Sequence, residues 1–581
     1  MAISMAGFKE KVASKKQAIK EAFSSKEAFL RAIEVRNTIE DGTTTGHYKR
    51  ADPRWMNEDL EPTPPEKRTW GFKTYCMFYF GLSFGNWSLG AVMVGIGLSW
   101  WQAIVVIFIA QAIASLAKAF NSRVGTMYHI GYPAVCRGIF GFYASYYFVG
   151  ARAALAVIWY GVQLYTGASY FANMLRAIFG SSFHDIPNAI PESVGITTNR
   201  MIAFFLFWLI HFYFCFYRPY QLVRFFWFKG LIMLPAVFGV FIYCMVATKA
   251  QFGGALPAVT GSRPLGWLFM HAINSGMGNQ ATLITNQPDI ARWSKTPGAA
   301  VWSQVLVQPL ASTLSATFGI LATAAINNVW GLQLWNPWDL LDAIMDRHFN
   351  GGARFAIFLA AFTWTIGILG TNIAANMIPF GSDVTLLAPR YIDMRRGFFL
   401  AEFLGYAVVP WKILASARAF TSFLSGYGLF MASVVAIMIS EYFMMIKGNF
   451  FVSHLFDPTK DNEYYRYHKG WNIQALIAYL IGIALPFPGF VATLGAPGVN
   501  DGGRNLFSMG WILSFCTSFV MYWVICSFWP TEAQKAIRAR GLKREQVVSE
   551  QLLTHEGLSV DDEEKNVVDV ETTPVKKDDV S

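Results

Sequence analysis

"GLSFGNWSLG", residues 81–90, lies inside the first long apolar run and sets a Gly-Asn pair among small and polar neighbours. Five apolar runs later "NSGMGNQATL", residues 274–283, repeats the pattern with Gly278 and Asn279. Gly and polar interruptions at corresponding places in two halves of a chain point to an inverted-repeat transporter, in which unwound backbone offers carbonyls and amides near the bilayer midplane. Glycines at these positions also serve close helix packing. One such segment alone favours packing, whereas the matched pair favours the transporter.

Composition agrees with a membrane setting. With 54% hydrophobic, 16% aromatic and only 14% charged residues, the 581-residue chain cannot form one soluble core with a polar coat. The long continuous apolar runs predict helices and not barrel strands, since about 20 apolar residues cross the hydrocarbon layer. Twelve spans are expected: 74–98, 101–120, 145–167, 201–217, 226–248, 265–285, 302–326, 354–380, 398–414, 419–442, 472–493 and 508–529. The organisation that follows is a segment 1–73, a first repeat 74–248, a second repeat 265–442, two further spans within 472–529, and a polar tail 530–581.

Basic residues set the predicted orientation. Lys118, Arg123 and Arg137, then Arg218 and Arg224, Arg292 and Lys295, Arg390, Arg395 and Arg396, and Lys447, Lys460, Arg466 and Lys469 fall in alternate loops or, for Lys118, at the span end beside one. The intervening "GSSFHDIPNAIPESVGITTN" has none. Both termini are therefore expected in the cytoplasm. The net charge of +10 reflects this topology and does not call for nucleic acid. No apolar run of signal-peptide length precedes the first span, which is expected to act as its own targeting signal. The tail is too polar to fold alone; Lys565, Lys576 and Lys577 are candidate ubiquitylation sites within it, and a merely solubilising tail is the equal alternative.

Catalytic chemistry has nothing to use. HExxH and GxxxxGK[ST] are missing from the chain, and Cys76, Cys136, Cys215, Cys244, Cys516 and Cys526 are scattered without metal spacing. The expectation is no enzyme, no metal and no cofactor. Within span 3, "IWYGVQ" puts Trp159 and Gln163 four residues apart and so on one helical face. An indole to stack on and an amide to pair with suit a small planar heterocycle. Asn376 in span 8 is a second amide of this kind, with an interhelical hydrogen bond as its competing role. Glu402, Glu441, His211 and Lys229 are ionisable residues inside spans, functional candidates by default, though Lys229 and Glu441 are close enough to a span end to snorkel.

Several stretches together resemble the nucleobase:cation symporter-1 family and, within it, the fungal uracil and allantoin permease branch. They are "LEPTPPEKRTW" (60–70), "GLSWWQA", "IWYGVQ", "NQPDIARWSKTP", "TNIAANMIPFGSD", "PRYIDMRRG", "FLSGYGLF" and "YRYHKGWNIQAL". The resemblance implies a five-plus-five inverted-repeat fold with two added helices, and uptake of uracil first, then allantoin, at the plasma membrane. Uridine, thiamine or another vitamin is the alternative within the family; a sensor that binds without transport is the alternative outside it. The resemblance also implies Trp159 as the stacking residue, Gln163 and Asn376 as polar contacts, and Asn279 and Gln280 in an unwound span 6. Gln280 stands where relatives often carry an aromatic, and "SFGNWS" departs from the usual asparagine-rich span 1 break. Gly370 and Thr371 match the positions of an ion-holding hydroxyl pair; with one hydroxyl missing, protons are expected as the coupling ion and sodium is the alternative. Lys295 and Asp383 are expected to close the inner side, Gly426 to flex an outer gate at a helix end, and Pro379 with Gly381 to end span 8.

Overall fold

The computed structural model describes residues 16–17, 20–35, 54–83, 85–253 and 264–548. The candidate modification sites Lys565, Lys576 and Lys577 lie outside the described residues. The described chain is helical, with isolated bridges Trp70–Ser294 and His468–Trp471 in place of any strand. Seven helices are long and apolar enough to cross a membrane, or eight if the pair Ile473–Ala484 and Phe487–Thr493, bent by 58°, counts as one span. The other expected spans are shorter, interrupted or more polar helices.

Span 1 divides into α1 (Phe72–Ser83) and α2 (Asn86–Gly95), with the break at Gly85 where the glycine pattern put it. Then follow α3 (Trp100–Tyr128), α4 (Ala144–Phe179), α5 (Thr198–Phe214) and α6 (Val223–Thr248). Helix α7 (Leu265–Thr285) runs unbroken through 274–283, and the interruption comes later, at Asn286, before the short α8 (Gln287–Ala291). The expected break at Gly278 is thus corrected. The glycines there admit neighbours: a β-carbon on Gly276 would sit 2.8 Å from the Ala110 methyl, and one on Gly278 only 2.1 Å from the Leu424 carbonyl oxygen. Close packing claimed these positions.

The chain continues with α9 (Ala299–Trp330), the short α10 (Pro337–Arg347) and α11 (Gly351–Leu387). Pro379 and Gly381 do not end span 8, which continues to Leu387. Proline lacks the N–H that would bond the carbonyl four residues back, and its ring crowds that carbonyl. The helix meets this with a wide π turn at Ile373–Met377, where the Ile378 N–H donates to the Ile373 carbonyl, and then resumes. Beyond lie α12 (Met394–Ala407), α13 (Ala417–Ser440), α14 (Ile473–Ala484), α15 (Phe487–Thr493), α16 (Gly510–Phe528) and α17 (Glu532–Ala539).

Two packed groups emerge. Helices α1, α2, α3, α7 and α9 pack together, and α4, α5, α11 and α12 form the second set, with α6 touching α1, α9 and α11 and α13 lying on α7. Within the first group backbones meet at glycine: a β-carbon on Gly319 would sit 2.2 Å from the Trp87 carbonyl oxygen, and one on Gly90 2.3 Å from that of Ala316. Overpacking of this kind costs about 1–3 kcal/mol. Gly319→Ala should therefore melt at a lower temperature than the parent in detergent, whereas Gly239→Ala, with nothing within 4 Å of the added carbon, should melt no lower. Equal melting of the two variants would refute the crossing.

Candidate functional site

Between the two groups lies a cavity with about 550 Å³ of atom-free space, part of it open to solvent. Gly85, Trp87 and Ser88 at the span 1 break, Trp159, Gln163, Thr166 and Tyr170 of α4, and Asn279 of α7 contribute to its wall. Trp335, Asn336 and Trp338 close it from the start of α10, together with Trp364 and Ile368 of α11 and Phe420 of α13. The break in span 1 lets α2 start against the cavity, and the four-residue spacing brings Trp159 and Gln163 to it together.

Trp159 is held from behind. Its Nε1 donates to the Tyr427 hydroxyl at 2.9 Å, and that hydroxyl donates to the Gly278 carbonyl at 2.5 Å, so α4, α13 and α7 are joined at one point. Phe423 and Phe420 pack on the indole with ring centroids 5.6 and 6.2 Å away. Gln163 is different: its Oε1 is buried and has no hydrogen-bond partner. An unpaired buried carbonyl costs about 1–3 kcal/mol, so the amide presents a standing demand for a donor. Asn279 Nδ2 donates to Asn86 Oδ1 at 3.2 Å, tying α7 to the residue after the span 1 break.

Other expected residues lie elsewhere. Gln280 turns to α3, where its Oε1 accepts from Lys118 Nζ at 2.6 Å, and it does not line the cavity. Asn376, on the π turn, donates through Nδ2 to Asn372 Oδ1 at 2.9 Å, and Asn372 Nδ2 donates to the Tyr160 carbonyl at 3.1 Å. Asn376 too is absent from the cavity wall; it supports the α4 turn next to Trp159 through Asn372. Gly426 sits inside the unbroken α13 and not at a helix end, and a β-carbon added there would lie 3.4 Å from the Phe490 ring. Gly370 and Thr371 meet a lysine: Lys229 Nζ, from α6, donates to Thr371 Oγ1 at 2.8 Å, and its stem fills the space beside Gly370. Lys229 is 1% exposed, so it does not snorkel.

Away from α10 lies a buried cluster of charge. Arg152 of α4 pairs with Asp383 and also donates to the Pro379 carbonyl at 2.7 Å. Asp289 lies nearby, its Oδ1 accepting from Ser382 Oγ at 2.7 Å and from the Tyr132 N–H at 3.0 Å. Lys295 is exposed, and its contribution is a backbone N–H donated to the Trp70 carbonyl at 2.9 Å. Arg152 is the partner that sequence reasoning missed; its signal was an arginine inside an apolar span. A chain segment before span 1 laces across this face. Arg292 donates to Thr63 Oγ1 and to the Asp59 carbonyl, both at 2.7 Å, and Asn57 Nδ2 donates to the Pro389 carbonyl at 2.9 Å.

Residues 62–514 match the family described as permease for cytosine/purines, uracil, thiamine, allantoin. The chain belongs to this family. It is 32% identical to the uracil permease of Saccharomyces cerevisiae over 90% of this chain and 82% of that one. It is 33% identical to the allantoin permease of the same yeast over 82% and 76% of the two chains. The fold is that of Mhp1, described as a nucleobase-cation-symport-1 family transporter, in a closed conformation: TM-score 0.64 at 20% identity, covering 83% of this permease and 99% of that chain. The protein is a multi-pass membrane permease with the five-plus-five inverted-repeat core, and not an enzyme.

Proposed function

We propose that this permease takes up a small planar heterocycle, uracil first and allantoin second, together with a proton, by alternating access across the plasma membrane with both termini in the cytoplasm. The observation that carries the solute class is the pairing of Trp159 with the unpartnered Gln163 on one cavity wall. Indole offers a flat apolar face, and the amide carbonyl selects a ring carrying N–H donors. Relatives named uracil, allantoin and uridine permeases support the same class.

Lys229 supports proton coupling. At Gly370 and Thr371, where sodium-coupled family members are expected to hold their ion, Nζ of Lys229 already donates to the hydroxyl of Thr371. With Thr371 Oγ1 also donating to the Gly367 carbonyl, the hydroxyl is engaged on both sides and is lost as an oxygen ligand for sodium. The test is uptake of radiolabelled uracil and allantoin in a host lacking its own nucleobase permeases, at several external pH values and with sodium replaced by choline. Uptake should rise as external pH falls and be indifferent to sodium. Stimulation by sodium without any response to pH would overturn the coupling, and absence of uptake of either solute would overturn the substrate class.

A further inference from the structure

Asn336 occupies the position just before α10, where asparagine ordinarily turns its side-chain oxygen onto the backbone N–H two or three residues ahead. Here it does not. The Asp339 N–H bonds the Asn336 backbone carbonyl at 3.2 Å, and the side chain makes no cap. Asn336 Nδ2 donates instead to Asp339 Oδ2 at 3.2 Å. A carboxylate bonds the amine end, which fixes the amide and leaves Oδ1 as its other face. That oxygen is buried without a partner, and the residue is 6% exposed. It lines the same cavity as Gln163.

The segment that carries Asn336 is clamped. Arg200 binds Asp339 at 3.1 Å, Asn173 Nδ2 donates to the Trp338 carbonyl at 3.1 Å, and the Trp338 ring stands edge-on to Tyr170 at 5.7 Å. With the backbone so held, the unpaired oxygen of Asn336 cannot turn to water at small cost. Gln163 on α4 and Asn336 just before α10 thus line one cavity, and each carries a buried carbonyl oxygen that lacks an N–H.

We propose that Asn336 is a specificity-determining residue, which accepts a hydrogen bond from one ring N–H of the solute while Gln163 accepts from another. The site then selects heterocycles with two N–H donors and is complete only with α10 seated. This rests on the solute class proposed above. It also explains the placement of Trp335 and Trp338 on either side of Asn336, where they shield the bond from water.

The experiment measures half-saturation for whichever of uracil or allantoin is taken up, and competition by analogues methylated at each ring nitrogen in turn. In the parent, either methyl group should weaken binding about tenfold or more. In Asn336→Ala, the unmodified solute should weaken about tenfold, the penalty for one particular methyl should vanish, and the penalty for the other should persist. Asn336→Ser, which keeps a good helix-starting residue but has shorter reach, should lose the same discrimination and guards against misfolding of α10. If both penalties persist unchanged in the variants, or all solutes weaken equally, Asn336 acts only in structure and the proposal fails. If the parent takes up neither solute, the functional reading fails and this proposal falls with it; that outcome is read on the parent alone.

Discussion

Arg152→Met lowers the stability of the permease by about 3–5 kcal/mol, the largest loss expected from any single substitution outside the cavity. Arg152 is 1% exposed and Asp383 fully buried. Without the guanidinium, Asp383 loses its ion-pair partner while Asp289 keeps only Arg292 nearby, so the buried Asp383 carboxylate bears the cost of leaving water uncompensated and is repelled by Asp289. Arg152 Nε, Asp383 Oδ1 and Asp289 Oδ2 already lack hydrogen-bond partners, so the cluster has no surplus of bonds to absorb the change. The double variant Arg152→Met with Asp383→Leu should recover most of the stability, because an apolar pair of similar size avoids both desolvation costs. Thermal melting in detergent reads both. A single variant that melts with the parent would refute the role assigned to the pair. Recovered stability without recovered uptake would mark the pair as part of the transport cycle, in which it must separate and close.

Gln163→Ala should cost uptake the most among the cavity residues: a rise in half-saturation of about ten- to hundredfold, with the protein folded and at the membrane. Its Oε1 has no structural partner to lose, so truncation removes only what the solute would use. Asn376→Ala is expected to behave otherwise. Its bond to Asn372, and through it to the Tyr160 carbonyl, belongs to the frame of α4. The substitution should lower stability and the maximal rate while leaving discrimination among heterocycles in place. Equal selectivity changes in both variants would bring Asn376 back to the solute.

Much of the site was legible from residue type and spacing. Trp159 and Gln163 share a wall because a helix returns to the same face every 3.6 residues, and that period needs no tertiary information. The break at Gly85 was legible for a similar reason: a Gly-Asn pair inside an apolar run has weak helical preference and a local alternative. Arg152 was readable in principle, since an arginine in an apolar span demands a buried partner, but which carboxylate would meet it depended on how α4 crosses α11. Asn336 offered only an asparagine before a proline between spans, which marks the start of a short helix. Nothing local says that this helix folds back over the cavity.

The amino-acid sequence by itself determined that the chain crosses a membrane in many helices, that span 1 breaks, and that α4 presents an indole and an amide together. Only the tertiary structure decided what each ambiguous residue does. Gly276 and Gly278 carry the same local signal as Gly85, yet α7 stays helical there because Ala110 and the Leu424 backbone fill the space the missing side chains leave. Gln280, one residue from Asn279, turns to Lys118 and away from the cavity. Thr371 is taken by Lys229, which comes from a helix more than a hundred residues earlier in the chain. A glycine permits both unwinding and close approach, and an amide both accepts and donates; the neighbour that arrives selects between them, and neighbours are set by packing over the whole fold.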